Sequence, residues 1–373
     1  MNTKISRLLP YLITYGSFFL IFLIFGSIWA QYRIKNIKKD YYSAHWKFSY
    51  GLTKYGYFRF KKNINENAIT RYGDLCNRIG AKNGEQCPFF EGERKIDFKT
   101  DDFGFRTNQS LKNSNFIMIG DSFLSANGGD FVKDQLGGQL GILTGKEFYE
   151  ASHPNDIPHY FAILNRLKEY RSDKKIYMIL IYEGNDLRDP KEVKNLAEKA
   201  RKEDEKRLSQ LKYKLIKYFP LYKLLKYYYL AYREKYEEPN LSLNSVVIKK
   251  IGGRNQAFYK EQNIESLRDS FLPRKNDFLL NKDLICGVYF IPTAYSVYLT
   301  NLSLKDRHPT LARDFKELEN NGIEFIDLTK SLRESAYMNP NLNLWWADDT
   351  HWNKNGIAIA AKTIKNQSKC IEK

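Results

Sequence analysis

The sequence predicts an α/β fold, a three-layer, doubly wound and mainly parallel sheet, on three observations. Apolar runs of strand length recur along the chain, helical stretches separate them, and turns with chemically capable side chains follow two of the strands directly. The first run is Asn115–Gly120 (NFIMIG), ending in glycine. The second is Lys175–Tyr182 (KIYMILIY), the third Leu284–Ile291 (LICGVYFI), closed by Pro292, and the fourth the shorter Ile323–Asp327 (IEFID). Runs that stay apolar at consecutive positions suit strands covered on both faces. Tyr160–Tyr170 and Ala312–Asn320 read as helices between them.

The 373 residues suffice for one large domain with an insertion, or for two small ones, and a 43 % hydrophobic content supports a sizeable core. Sixty basic residues against 43 acidic give a net charge of +17, which favours polyanionic neighbours such as anionic lipid or acidic glycan. No zinc finger or RNP motif accompanies that charge, so nucleic acid is not an expected partner. The cysteines Cys76, Cys87, Cys286 and Cys370 form no CxxC pair, and neither a structural zinc nor any cofactor is expected. Cys76 and Cys87 are close enough for a disulfide in an oxidising compartment, with free thiols the alternative. His153 and His159 form an H-x5-H spacing that reads as structural or exposed.

Leu8 to Tyr32 contains no charged residue. These 25 residues would make roughly 37 Å of helix, longer than the roughly 30 Å hydrocarbon core, and Trp29 and Tyr32 sit at one end as interfacial rings. Residues 1–32 therefore read as an uncleaved single-pass anchor, the weak cleavage site around Gly26-Ser27 being the competing signal-peptide reading. Lys4 and Arg7 precede the span, while Arg33, Lys35, Lys38 and Lys39 follow it; taken literally this charge places the large domain in the cytoplasm, but long domains translocate largely regardless of charge. Residues 33–95 read as a juxtamembrane region without clear periodicity, and residues 96–373 as the main domain.

A helical insertion over 191–245 interrupts the alternation. Residues 191–238 carry 14 Lys/Arg and 8 Asp/Glu, with no acid between Glu205 and Glu234. Leu208, Leu211, Leu215 and Phe219 repeat at helical spacing; Pro220 resets the phase, and Leu221, Leu225, Tyr228 and Tyr232 begin a second face. Such a segment suits an anionic membrane surface, or equally a helical hairpin packed on the core with a solvated basic face.

Three motifs carry chemistry. Gly120-Asp121-Ser122-Phe123 places a serine after the first strand, at the expected start of a helix whose N-terminus favours a developing oxyanion. Glu183-Gly184-Asn185-Asp186 puts an amide donor after the second strand. Asp348-Asp349-Thr350-His351-Trp352 sets a histidine beside two acids, either of which can orient it through Nδ1. Each alone is weak.

In this order the motifs resemble the SGNH (GDSL-like) hydrolase superfamily, from about residue 96 to residue 365. Thr100-Asp-Asp-Phe-Gly-Phe-Arg106 is similar to the D-x-x-G-F-R element that precedes the nucleophile strand in bacterial members, and His351-Trp352 resembles the D-x-H-W motif of alginate O-acetyltransferase relatives. The GxSxG elbow of α/β-hydrolases is absent. The resemblance implies a flavodoxin-like SGNH fold, Ser122 as nucleophile, His351 as base, and Asp348 (superfamily spacing) or Asp349 (D-x-H-W spacing, preferred for its Trp) as the orienting acid. The Ser122 N–H and the Asn185 side chain would hold the oxyanion. Two departures stand out: Glu183 replaces a usual glycine, and Glu150–Pro158, the stretch expected to supply a third donor, has none, leaving Ser152 or Asn155 as substitutes.

The implied activity is ester hydrolysis or O-acyl transfer, with acetyl the expected group, on an envelope glycan or glycolipid. A lipid or lysophospholipid esterase and a catalytically silent glycan-binding or scaffolding module are the alternatives. Expected partners are the acyl-ester substrate, the membrane through the anchor and the insertion, and a membrane acyltransferase. The expected location is the inner (cell) membrane, with an extracytoplasmic, periplasmic domain.

Overall fold

A computed structural model describes residues 14–22, 24–26, 28–29, 43–81, 84–153, 156–187, 246–259 and 270–372. The chain divides into two compact units, Met1–Asp40 with Val193–Glu238, and Tyr41–Glu192 with Pro239–Lys373. In the first unit the described residues 14–22, 24–26 and 28–29 are helical and leave large apolar side chains such as Phe18, Phe19 and Phe25 exposed. Among the described residues no helix is long and apolar enough to cross a membrane, so the membrane span expected over Leu8–Tyr32 is not supported. The insertion expected over 191–245 lies outside the described residues.

The second unit contains β1 (Ser49–Leu52), β2 (Phe58–Phe60), β3 (Asn65–Thr70), β4 (Arg94–Lys99), β5 (Phe116–Gly120), β6 (Phe148–Ser152), β7 (Tyr177–Tyr182), β8 (Val246–Ile251), β9 (Arg254–Tyr259), β10 (Ile285–Ile291) and β11 (Glu324–Asp327). Helices used below are α1 (Asp74–Arg78), α2 (Leu136–Thr144), α3 (Ile157–Leu167), α4 (Pro309–Asn320) and α5 (Lys354–Gln367). The central sheet has five parallel strands in the order β11-β10-β7-β5-β6. Read from β6 and numbered by their place in the chain these are 2-1-3-4-5, the flavodoxin-like doubly wound order. The connection from β5 runs one way to β6, and the next crosses back to β7 on the other side of β5. The carboxyl ends of β5 and β7 thus flank the topological switch point, where open α/β sheets form a ligand crevice.

Alternate strand residues fill two cores. Met118, Met178, Leu180 and Ile291 meet Leu136 and Leu140 of α2 and Ile357, Ala360 and Ile364 of α5. Ile117, Ile119, Ile179, Ile181, Val288 and Phe290 meet Ile157, Tyr160, Phe161 and Leu164 of α3 and Leu311, Phe315 and Leu318 of α4 on the other face. A sheet covered on both sides explains why its strands read as continuous apolar runs.

The four expected strands are present, each trimmed by one or two residues at its start, and the two expected helices begin three residues earlier. β6, an edge strand, is not an apolar run, because Glu150 sits at its centre. That side chain is buried, accepts the Gly137 N–H at 2.9 Å, and is pushed by burial up to about 8, so it is held neutral in the core.

Of the stretch 33–95 read as juxtamembrane, the residues from Tyr41 onward belong to the same compact unit as the sheet. They contribute the β1–β2 hairpin, β3 paired with β4, and α1. A further hairpin, β8–β9, turns at Gly252-Gly253, both at positive φ as a tight two-residue hairpin turn needs. It braces the C-terminal motif, with Ala257 N–H donating to Ala347 O at 3.2 Å and Gln256 Nε2 to Trp346 O at 2.9 Å.

Cys76–Cys87 and Cys286–Cys370 are disulfides. The second ties β10, an interior strand of the sheet, to Cys370 across 84 residues, so its loss releases more unfolded-chain entropy than loss of the first, which spans 11. Chain-entropy arithmetic gives about 4–5 kcal/mol for the long loop and about 3 kcal/mol for the short one. Cys286→Ser/Cys370→Ser should therefore lower the thermal midpoint more than Cys76→Ser/Cys87→Ser. Equal midpoints in all three proteins would contradict this.

Candidate active site

Ser122 follows β5 in the turn Asp121–Phe123, its side chain partly exposed. The expected helix does not follow it: residues 122–129 form successive turns, and α2 starts only at Leu136. Two buried arginines explain the break. Arg106, the last residue of the D-x-x-G-F-R element, donates to the carbonyls of Ser125 (2.7 Å) and Asp130 (2.6 Å), and Arg94 of β4 donates to Gly128 O at 2.5 Å. These carbonyls are taken by side chains instead of by a helical ladder, while Ala126 (φ 51°) and Gly129 (φ 112°) adopt left-handed backbone. The rest of the element makes the arginine's platform. Asp101 Oδ1 accepts the N–H groups of Phe103, Gly104 and Phe105 at 2.9–3.0 Å, and a Cβ on Gly104 (φ 85°) would fall 2.4 Å from Phe60 O.

The second motif follows β7. Asn185 is partly exposed on the Glu183–Leu187 turn, and its side chain has no hydrogen-bond partner among the described residues. Asp186 closes this turn: its Oδ2 accepts from Tyr182 N–H and Tyr160 OH, both at 2.8 Å. Burial, then the nearby Asp121, pushes the Asp186 carboxyl well up. Glu183 is fully buried and bonded by Arg307 Nε (2.7 Å), Thr293 N–H (2.8 Å) and His308 Nε2 (3.1 Å). The acid in place of the usual glycine therefore ties β7 to the start of α4.

The third motif is a tight acid turn. His351 Nδ1 lies 2.5 Å from Asp349 Oδ1, so Asp349 and not Asp348 is its partner. Asp348 instead forms a buried ion pair with Arg94 and accepts the Gly73 N–H at 3.0 Å. Burial raises the Asp349 carboxyl, but the His351 charge and hydrogen bond and then Arg94, 3.8 Å away, bring it down to about 2. Burial lowers the His351 imidazole most strongly, yet Asp349, Asp74 and Asp121 together leave the net shift upward. Trp352 anchors the turn, its Nε1 donating to Phe123 O at 3.0 Å.

Phe123 is where the three motifs meet. Its ring stacks on Tyr182 at 3.8 Å between centroids and lies 4.9 Å from the His351 ring. The residue beside the serine thus touches both the end of β7 and the histidine. The Ser122 hydroxyl donates to Asp121 Oδ2 at 3.4 Å and is not hydrogen-bonded to His351, whose Nε2 has no partner among the described residues. Asp121 is pushed by burial up to about 6.

Two residues were expected to substitute as the third oxyanion donor. Ser152 is the last residue of β6, with a buried hydroxyl, and Asn155 lies outside the described residues. His153 packs on Phe60 and lies 3.4 Å from Ser49 Oγ, while His159 completes a capping box with Asp156 at the start of α3, both structural roles. Among the described residues, Asp74, Asp349 and His351 bring one donor atom each within 4.8 Å. The Asp349 oxygens meet His351 Nδ1 and the Asp74 N–H, and the Asp74 oxygens accept from Thr350, so the two carboxylates are already hydrogen-bonded within the turn. Asp74 and Arg94 carry no motif and lie more than 250 positions from the acid turn, so no local pattern marks them.

Comparison of the chain with protein-family models, curated proteins and solved structures gives no match.

Proposed function

We propose that this protein is a serine esterase or O-acyltransferase of the SGNH type, acting on O-acyl esters, chiefly O-acetyl, of an envelope glycan or glycolipid. The observation that carries this reading is the Asp349–His351 pair, with Nε2 open and the ring against Phe123, the neighbour of Ser122. The motif order, the resemblance it carries, and the placement of Ser122 and Asn185 at the switch point support it.

In this mechanism the Ser122 hydroxyl turns from Asp121 to His351 Nε2. It loses its proton there while Oγ bonds the ester carbonyl carbon. Asp349 holds the tautomer and offsets the imidazolium charge. The Ser122 N–H and the Asn185 amide face the oxyanion, and collapse of the tetrahedral adduct passes the proton from His351 to the departing alcohol. Water or a sugar hydroxyl then gives a proton to His351 and takes the acyl group, which restores the serine.

The same proposal places residues 8–32 in the inner membrane as a single-pass anchor and the sheet-bearing unit outside the cytoplasm. The uncharged run supports the anchor, and two disulfides support an oxidising compartment. The basic segment 191–238 and a membrane acyltransferase remain its proposed contacts with lipid and protein.

Two observations favour a second reading, a catalytically silent binding module: the Ser122 hydroxyl is bonded to Asp121, and the stretch Glu150–Pro158 holds no glycine. Fluorophosphonate labelling of purified protein separates the two. The enzyme reading expects labelling of the wild type and none of Ser122→Ala; no labelling of either protein would favour the module.

A further inference from the structure

The acid turn is held by a short segment near the start of the compact unit. Three successive backbone groups donate into it: Gly73 N–H to Asp348 Oδ2 (3.0 Å), Asp74 N–H to Asp349 Oδ2 (3.0 Å) and Leu75 N–H to Asp348 O (3.1 Å). The Asp74 carboxylate reaches back and accepts from Thr350 N–H (2.7 Å) and Thr350 Oγ1 (2.8 Å). The two segments approach so closely that a Cβ on Gly73 would fall 2.0 Å from Asp348 O. We infer that Asp74 is a positioning residue for the Asp349–His351 pair, presented on a clasp that the Cys76–Cys87 disulfide tethers.

The clasp cannot stand by itself. α1 is five residues long, far below the length at which an isolated helix persists in water. Leu75, Cys76, Cys87 and Phe89 form the small core beneath it, and the disulfide joins its middle to the following loop. Asp74 then does two things. It fixes Thr350, the residue between Asp349 and His351, and it adds a second negative charge near the imidazole.

The groups acting on His351 come from several elements. Asp349 lies on its own turn, Asp74 on α1 and Asp121 after β5. Arg94 of β4 acts through Asp349 at 3.8 Å, and Arg78 lies 3.4 Å from Asp74. His45, in the helix Ala44–Phe48, is pulled well down by burial and then Arg106, and is neutral. Burial lowers the imidazole most strongly, and Asp349, Asp74 and Asp121 together raise it above its ordinary value. Removing the Asp74 charge must therefore let His351 lose its proton at a lower pH.

The inference rests on the esterase reading for its consequence but not for its test. His351 is titrated by NMR of the imidazole nitrogens in wild-type protein, Asp74→Asn and Thr350→Val. Asp74→Asn should titrate at lower pH, and Thr350→Val, which keeps every charge, should titrate as the wild type does. In fluorophosphonate labelling, the rise of the rate with pH should move down with Asp74→Asn. Thr350→Val and Cys76→Ser/Cys87→Ser should label more slowly, by up to about 100-fold if the turn shifts by 1 Å. Cys286→Ser/Cys370→Ser, which loses a disulfide elsewhere, should keep the wild-type rate well below its melting temperature. An unmoved His351 titration in folded Asp74→Asn overturns the inference, as does a wild-type labelling rate without Cys76–Cys87. Wild-type protein that takes no label sinks the esterase reading alone, since the titration still decides the role of Asp74.

Discussion

Asp349→Asn is expected to slow turnover of p-nitrophenyl acetate by about 10⁴-fold, and His351→Ala to abolish it. The Asp349 Oδ1 to His351 Nδ1 contact at 2.5 Å selects the tautomer with Nε2 free to accept a proton. An amide at 349 presents a donor or a weaker acceptor there, and stabilises the wrong tautomer. Asp348→Asn should act differently. Its carboxylate holds the buried Arg94 and the Gly73 N–H, so its loss leaves a cation poorly paired at about 5 % side-chain exposure. Breaking such a pair costs about 3–5 kcal/mol of stability, while the imidazole keeps its partner. Turnover and thermal midpoints of the two variants separate these roles. Near-normal turnover in His351→Ala, or equal loss of turnover in both aspartate variants at equal stability, would place the base elsewhere.

Glu183→Gln should destabilise the fold by about 3–5 kcal/mol, because Arg307 and His308 would face a neutral amide inside the protein. The loss should also depend on pH. Burial raises the Glu183 carboxyl, but His308, Arg307 and the hydroxyl and backbone donors around it bring it from 4.5 down to about 2. A group whose pKa is depressed by folding contributes stability that is complete above its unfolded value. That contribution, on the order of 3 kcal/mol, fades as pH falls from about 4.5 towards 2. Urea midpoints between pH 2 and 7 should thus drop for the wild type in the acid window and change less for Glu183→Gln. Parallel curves would show that Glu183 is not held ionised by the fold.

The fold was legible wherever a strand lies between two helical layers. β5, β7 and β10 are buried and apolar along their length, and each was recognisable without any partner in view; β11, an edge strand with an acid at each end, was marked by the apolar Ile323, Phe325 and Ile326. β6 escaped because its buried acid, Glu150, mimics a surface residue until burial is known. The region before β4 escaped for a different reason. β1 and β2 are short, β3 is mostly polar and exposed, the helix α1 is marginal, and the order of the region comes from contacts to distant residues rather than from periodicity.

The site divides the same way. Ser122, Asn185 and His351 were marked by their place after strands or beside acids, since a turn at a strand's end is a local property. The choice between Asp348 and Asp349 was not local: both lie within reach of the ring in sequence, and Arg94 claims one of them from β4.

By itself the sequence determined a parallel α/β sheet and the positions at its rim where a hydroxyl, an amide and an imidazole stand, because burial on two faces and strand-end turns are written in neighbouring residues. Only the tertiary structure decided which acid bonds the imidazole, why the Ser122 turn does not become a helix, and how Asp74 reaches the acid turn across 275 positions. Each of those outcomes depends on which buried charge meets which carbonyl or carboxylate, and that competition is settled only when separate segments are packed together.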